Sequence, residues 1–341
     1  MQRIRLIGTL MTVGLLIASC SSDRNSTTAA SGGSAASTSA PSVPSTTAPP
    51  AGRDFRSSSM STDQKIGTPI CDAQQRCVIP LITSATVSGD MTGSTISEGP
   101  GALVGNDFAA GDTLIFTGTV SGCGTGTLVW VGTGRGSTTS PTTSAWTIAS
   151  GLGTGDLAHA SGYGTTTVPA GGDGSQPSVT TGRIACDDAL ATSDSSSTST
   201  SSQSGTEIHA TSKSGKQTIG DPLCDAQQHC MIPLTLEGDS YTGDLSGTSI
   251  SHSAGALVGT DYAAGGTIIF SGTVANCGTG SVVLVSTARG TAMGGDSGSW
   301  EIVKGLGSGD LVQVSGTGTS VGTPNGDSTY TATIEGHISC S

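Results

Sequence analysis

The sequence predicts an all-β chain built from two tandem copies of one disulfide-bonded domain. Three observations predict it: a long internal repeat, period-two alternation of apolar residues inside that repeat, and cysteines that fall at matched places in both copies. CDAQQRC (Cys71 to Cys77) returns as CDAQQHC (Cys224 to Cys230). GALVGNDFAAGDTLIFTGTV (Gly101 to Val120) returns as GALVGTDYAAGGTIIFSGTV (Gly255 to Val274), and GLGTGDL (Gly151 to Leu157) as GLGSGDL (Gly305 to Leu311). The offset between the copies changes by one residue after Pro80/Pro233, so a single insertion separates them. Self-similarity of this extent is duplication.

The chain opens with the grammar of export. Arg3 and Arg5 precede a mostly apolar stretch, Leu6 to Ile17, which is too short to span a bilayer. Ile17-Ala18-Ser19-Cys20 then reads as a lipobox, the bacterial lipoprotein signal. Residues 1–19 are therefore expected to be a cleaved signal peptide, with Cys20 lipidated and the protein held on the outer face of the cell membrane. Each buried methylene of an acyl chain contributes about 0.8 kcal/mol, and more than one chain makes such an anchor stable.

From 20 to 64 the chain is Ser, Thr, Ala, Pro and Gly with few charges, and such a segment buries too little apolar surface to offset its ordering entropy. It is expected to be a disordered tether with a reach of about 35–40 Å. Residues 187–218, centred on SDSSSTSTSSQSG, are expected to be a second disordered segment linking repeat 1 (65–186) to repeat 2 (219–341). Each unit is a normal size for an independent domain.

Within the repeats the pattern is strand. Leu114, Phe116, Gly118 and Val120 fall on one face and Thr113, Ile115, Thr117 and Thr119 on the other. Repeat 2 has Ile268, Phe270, Gly272 and Val274 against Thr267, Ile269, Ser271 and Thr273. This alternation predicts half-buried antiparallel strands, with Ser121 to Gly126 as the turn of a hairpin. Strand-interior glycines such as Gly118 and Gly272 fit the bends of a barrel wall. Of the nine cysteines, the eight other than Cys20 divide into Cys71, Cys77, Cys123, Cys186 and Cys224, Cys230, Cys277, Cys340. In an exported chain they read as disulfides. Four cysteines allow three pairings; the expected one is Cys71–Cys77 with Cys123–Cys186, and Cys224–Cys230 with Cys277–Cys340. On the loop-entropy model the short and long bridges contribute about 2 and about 4 kcal/mol.

The order TGTVSGCGTGTLVWVGTG, a tryptophan strand (Ser144 to Ile148), GLGTGDLAHASGYG and a final TGRIAC resembles the allene-oxide-cyclase-like barrel family. The resemblance covers most of each repeat and implies a closed antiparallel barrel of about eight strands per copy. CDAQQRC departs from the recognised pattern, and patterning alone allows a β-sandwich equally well.

Candidate chemistry is sparse. No histidine occupies the same place in both copies: His159 aligns with Gln313, His229 with Arg76, His252 with Glu98 and His337 with Arg183. A shared Ser-His-Asp triad or histidine metal site is thereby excluded. Five aspartate pairs recur: Asp72/Asp225, Asp90/Asp244, Asp107/Asp261, Asp156/Asp310 and Asp173/Asp327. Most sit at turns, where a short carboxylate accepts backbone N–H groups. Asp156 and Asp310, after the Gly-rich turn, are the first choices for a site. Arg135 and Arg289 are candidates for an anionic ligand, against the plainer reading of ion-paired loop arginines. The glycine strings lack the features of a phosphate loop. Trp146 and Trp300 are expected as core plugs, and Trp130 is replaced by Leu284. No catalytic, cofactor or metal residue is assigned.

The net charge of −12, without a basic run, excludes nucleic acid as a partner. Three function classes follow. The first is a non-enzymatic envelope module binding a small apolar or amphipathic ligand beside Phe116 or Phe270. The second is a cyclase- or isomerase-like enzyme, as the resemblance implies. The third is structural or adhesive surface display. Duplication without shared catalytic groups favours binding or display over catalysis. Changing Cys20→Ala is expected to abolish acylation, so that detergent-phase partitioning of the processed protein is lost.

Overall fold

The computed structural model describes residues 52–170, 177–188, 205–225, 227, 229–291, 294–325 and 329–340. The signal peptide, Cys20, most of the tether, and Asp173 and Asp327 lie outside them. Repeat 1 contains β1 (Arg53–Ile66), β2 (Ile70–Cys71), β3 (Cys77–Ile79), β4 (Leu81–Gly89), β5 (Met91–Glu98) and β6 (Gly101–Val104). It continues with β7 (Asp107–Val120), β8 (Gly124–Ser137), β9 (Thr142–Ile148), β10 (Thr154–Gly155), β11 (Ser161–Val168) and β12 (Ser178–Ala185). Repeat 2 contains β13 (Thr206–Lys213), β14 (Lys216–Ile219), β15 (Leu223–Cys224), β16 (Cys230–Gly243), β17 (Leu245–Val258) and β18 (Asp261–Val274). It ends with β19 (Gly278–Thr291), β20 (Gly295–Ile302), β21 (Ser308–Gly309), β22 (Ser315–Pro324) and β23 (Tyr330–Ser339).

Each repeat is a closed eight-stranded antiparallel β-barrel. The first wall runs β8-β9-β11-β12-β1-β4-β5-β7 and closes through β7–β8. The second runs β13-β23-β22-β20-β19-β18-β17-β16 and closes through β13–β16. Closure leaves no open edge in the walls, and the sandwich alternative falls away. β2, β3 and β6 extend from β7 as an arm that carries the CDAQQRC loop. All four disulfides form as the sequence leads one to expect: Cys71–Cys77, Cys123–Cys186, Cys224–Cys230 and Cys277–Cys340.

Two domain boundaries need correction. β1 begins at Arg53, inside the segment assigned to the tether, and β13 begins at Thr206, inside the segment assigned to the linker. Both are barrel strands, β1 between β12 and β4, β13 between β23 and β16. Composition misleads here because these strands need few large side chains. In β1 the buried residues are Phe55 and Ser57, and Ser57 accepts the Met91 N–H. In β13 they are Ile208 and Ala210. A repeat 2 cut at residue 219 lacks its closing strand.

The linked-domain picture also changes, because the barrels share a buried interface. Ile115, Val129, Val131, Ala149 and Leu152 of repeat 1 pack with Met231, Ala254, Ala256 and Ala263 of repeat 2. In mirror fashion, Ile269, Val283, Val285, Val303 and Leu306 of repeat 2 pack with Val78, Ala102 and Ala109 of repeat 1. The second face of the Thr113–Thr119 strand is therefore buried at Thr113 and Ile115, not exposed. Period-two alternation separates the two faces of a strand but does not say that one of them meets water.

The inserted residue of repeat 2 is Gly238. Ser84 opposes Ile96 and Ala85 opposes Thr95, whereas Glu237 opposes Ile250 and Asp239 opposes Ser249, leaving Gly238 as a bulge. Its φ of 76° suits glycine. Because β13 is a barrel strand, Ile208→Ala is expected to cost about 2–5 kcal/mol in denaturant melts. A linker residue would cost less than about 0.5 kcal/mol.

Candidate functional site

The barrel interiors come first, because the sequence places its candidate ligand residues there. In repeat 1, Phe116 is fully buried among Phe55, Met91, Val120, Leu128, Trp130, Trp146, Ile148 and Leu157. Trp130 stacks on Trp146 at a centroid distance of 4.5 Å. In repeat 2, Phe270 sits among Ile208, Leu245, Val274, Leu284, Trp300 and Ile338, with Tyr241 edge-on at 5.2 Å. Both aromatics are thus core residues held by neighbours from their own barrel.

Beyond these apolar cores the two interiors differ. Asp112 lies on the inward face of β7, its carboxyl against Gly132 beside Trp146. It is half-buried, and burial pushes its pKa up to about 6, opposed only in part by its own backbone N–H. Repeat 2 has Gly266 there but carries Asp239, which accepts the Gly215 N–H at 2.8 Å and the Ser249 hydroxyl at 3.4 Å. Burial raises Asp239, and the Tyr241 phenol beside Ser249 is pushed up to about 12 by burial.

The remaining sequence candidates do not converge on one another. Asp156 and Asp310 are exposed, and each accepts one N–H, from Thr125 and Thr279, at 3.1 Å. They pin the Gly-rich turn to the start of β8 or β19, the turn-setting role of a short carboxylate. Asp90 and Asp244 do the same for Arg56 and His209 at 2.8 Å. Arg135 and Arg289 both reach across to the other repeat. Arg135 donates to Glu301 at 2.6 Å, and Arg289 donates to the Ser150 carbonyl at 2.5 Å. Among the described residues no group of three or more His, Cys, Asp or Glu side chains is placed to hold a metal ion.

Sequence reasoning missed the inter-repeat face, where the two copies meet around a pseudo-twofold axis. Thr113 donates to the Ala254 carbonyl at 2.7 Å and Thr267 to that of Pro100 at 2.6 Å. Each threonine oxygen also accepts a backbone N–H, Thr113 from Gly265 at 2.7 Å and Thr267 from Gly111 at 3.0 Å. On the axis the matched residues Glu98 and His252 meet, His252 Nε2 donating to Glu98 Oε1 at 2.7 Å. His252 Nδ1 lies 2.8 Å from the Thr235 hydroxyl, and both members of the pair are buried. The signal was present in the alignment of His252 with Glu98, a matched position holding opposite hydrogen-bonding partners.

Two surface openings stand out, and both lie between the repeats. One, of about 620 Å³, separates the Asp72–Arg76 loop of the repeat 1 arm from Glu237, Gly238, Thr248, Ser271 and Ser308 of barrel 2. The loop is rigid: Asp72 accepts the N–H groups of Gln74 and Arg76 at 2.9 Å and pairs with the Arg76 guanidinium. Burial raises the Asp72 pKa, but the hydrogen bonds and charge of Arg76 outweigh it and hold the carboxyl below its usual value. Arg76 also donates to Ser271 and Ser308 across the opening. The second opening, about 280 Å³, lies between Ser150–Leu152 and Tyr262, Arg289 and Thr291.

With the geometry established, comparison with known families finds a match within repeat 2. Residues 231–333, which run from β16 into β23, match the family model of a protein of unknown function (DUF3224). A comparison with curated proteins returned no match. The four disulfides fit an extracytoplasmic protein.

Asp112 supplies a pH test. Its native pKa lies above the usual 3.8, so the folded state holds the proton more tightly than the unfolded state does. That contribution is complete below about pH 4 and is lost as pH rises through about 6. Asp112→Asn should therefore gain stability relative to wild type between about pH 4 and about pH 7 in paired thermal melts.

Proposed function

We propose that the protein is a non-enzymatic binding module of the cell envelope that holds its ligand between the repeats. The observation that carries this reading is the contrast between two filled barrel cores and the 620 Å³ opening beside the CDAQQRC arm. An opening of that size falls in the range of small-molecule sites. Its lining of hydroxyls, Asp72, Gln74, Arg76 and Glu237, with Ala73 and Ile250 as the apolar side chains, suits a polar or amphipathic ligand better than a purely apolar one. The fixed loop presents these groups with little ordering cost. In this reading the lipid on Cys20 anchors the protein and residues 20–52 set its distance from the membrane.

A second reading, an isomerase- or cyclase-like enzyme of the allene-oxide-cyclase-like type, is favoured by one observation. Asp239, Ser249 and Tyr241 form a buried acid–hydroxyl–phenol chain in the wall of barrel 2 next to Phe270. Repeat 1 has Ala85, Thr95 and Val87 there, so any such chemistry belongs to repeat 2 alone. Display without a ligand is the third reading.

Native mass spectrometry of protein purified from its own envelope separates them. The expected result is a bound small molecule that is lost in Thr248→Trp, which fills the opening from an exposed position. Phe116→Trp should keep the ligand while overpacking the core by about 1–3 kcal/mol. A ligand lost with Phe116→Trp or Phe270→Trp and kept with Thr248→Trp would move the site into a barrel. No bound mass in any sample would leave display.

A further inference from the structure

We infer that the inter-repeat face is a selective pairing surface, that its partner is an unlike repeat of this same chain, and that Glu98 and His252 set the choice. The face is isologous. Thr113 and Thr267 make the same two bonds in opposite directions, and each barrel wall receives the same arm residues from the other copy. Contacts of this kind are those of a closed twofold dimer, and none of them uses the covalent link between the repeats. The clusters that form the face are as buried as the barrel cores, the character of an obligate interface.

A residue on a twofold axis meets its own counterpart, so position 98/252 tests the identity of the partner. In the unlike pair the imidazole N–H donates to a carboxylate, and both groups are buried. Two copies of repeat 1 would bring Glu98 against Glu98, two buried acceptors without a donor between them. Two copies of repeat 2 would bring His252 against His252 without a carboxylate. Two facing buried carboxylates are strongly unfavourable, and two imidazoles keep at most a neutral N–H···N bond, so the unlike pair, with a donor set against a carboxylate, wins over both like pairs. The surface thus joins repeat 1 to repeat 2 whether they lie on one chain or on two.

The test uses the full chain with a protease site placed between residues 190 and 203. After cleavage, wild-type halves should stay together as a one-to-one complex in size-exclusion chromatography with light scattering at micromolar concentration. His252→Glu should weaken that complex by about 100-fold or more, in line with breaking a buried pair. Exchanging the residues, Glu98→His with His252→Glu, should restore it. If His252→Glu fails to fold while the exchanged chain folds and pairs, the rescue supports the inference equally. Separation of the wild-type halves on cleavage, or undiminished pairing with His252→Glu, or no rescue by the exchange, would overturn it.

Discussion

The repeats approach so closely because two strands cross with no side chain between them. At Gly111 of β7 an added Cβ would collide with the backbone of Gly266, and at Gly265 of β18 with the backbone of Asp112. Only a residue without a Cβ permits this contact, and it brings Thr113 and Thr267 within reach of the opposite main chain. Buried backbone groups must find partners, so the two threonines turn a close approach into a fixed register. The apolar clusters, the arms and the arginine crossings all lie around that register. The half-exposed Arg135–Glu301 pair adds little energy of its own, since an exposed ion pair contributes about 0–1 kcal/mol.

Much of this was legible in the sequence, and the parts that were not share a physical cause. The strands follow from alternation, the four disulfides from cysteine matching and the core roles of Trp146 and Trp300 from aromatic placement, whereas barrel closure was implied only by the family resemblance, since alternation fits a sandwich equally well. β1 and β13 were hidden because each buries only two residues, Phe55 with Ser57 and Ile208 with Ala210, and is otherwise rich in polar residues, as a tether is. The interface was hidden because Thr113 and Ile115 read as the solvent face of an amphipathic strand until the second barrel covers them. The recurring aspartates were readable as turn-setters, and Asp156 and Asp310 act as such. The recurring arginines gave no sign of reaching across to the other copy, because the distance from Arg289 to Ser150 exists only in the fold.

Function follows the same division. The cores formed by the repeated motifs are filled by their own side chains, and the two openings described lie where one copy touches the other. A module that recognises something between its repeats depends on their mutual position, and the threonine–glycine crossing holds that position. The CDAQQRC loop, which departs from the pattern recognised elsewhere in the repeat, is a fixed boundary of the 620 Å³ opening: its backbone bonds stiffen it, and Asp72, Gln74 and Arg76 line the opening.

Gly238 breaks the symmetry of the whole arrangement. Repeat 1 passes from Ser84 to Ala85 without a bulge, whereas repeat 2 places a glycine between Glu237 and Asp239. That one residue borders the larger opening and brings a carboxylate into the wall beside Ser249. On the opposite side of the axis, the repeat 2 sequence has His229 in place of Arg76, its ring 2.9 Å from Asp225, and Asp225 accepts the Thr117 hydroxyl of β7. Gene duplication normally doubles the number of sites on a chain. Here the inserted Gly238 and the Arg76/His229 difference make the two sides of the axis chemically distinct, so duplication has not given this chain two equivalent openings.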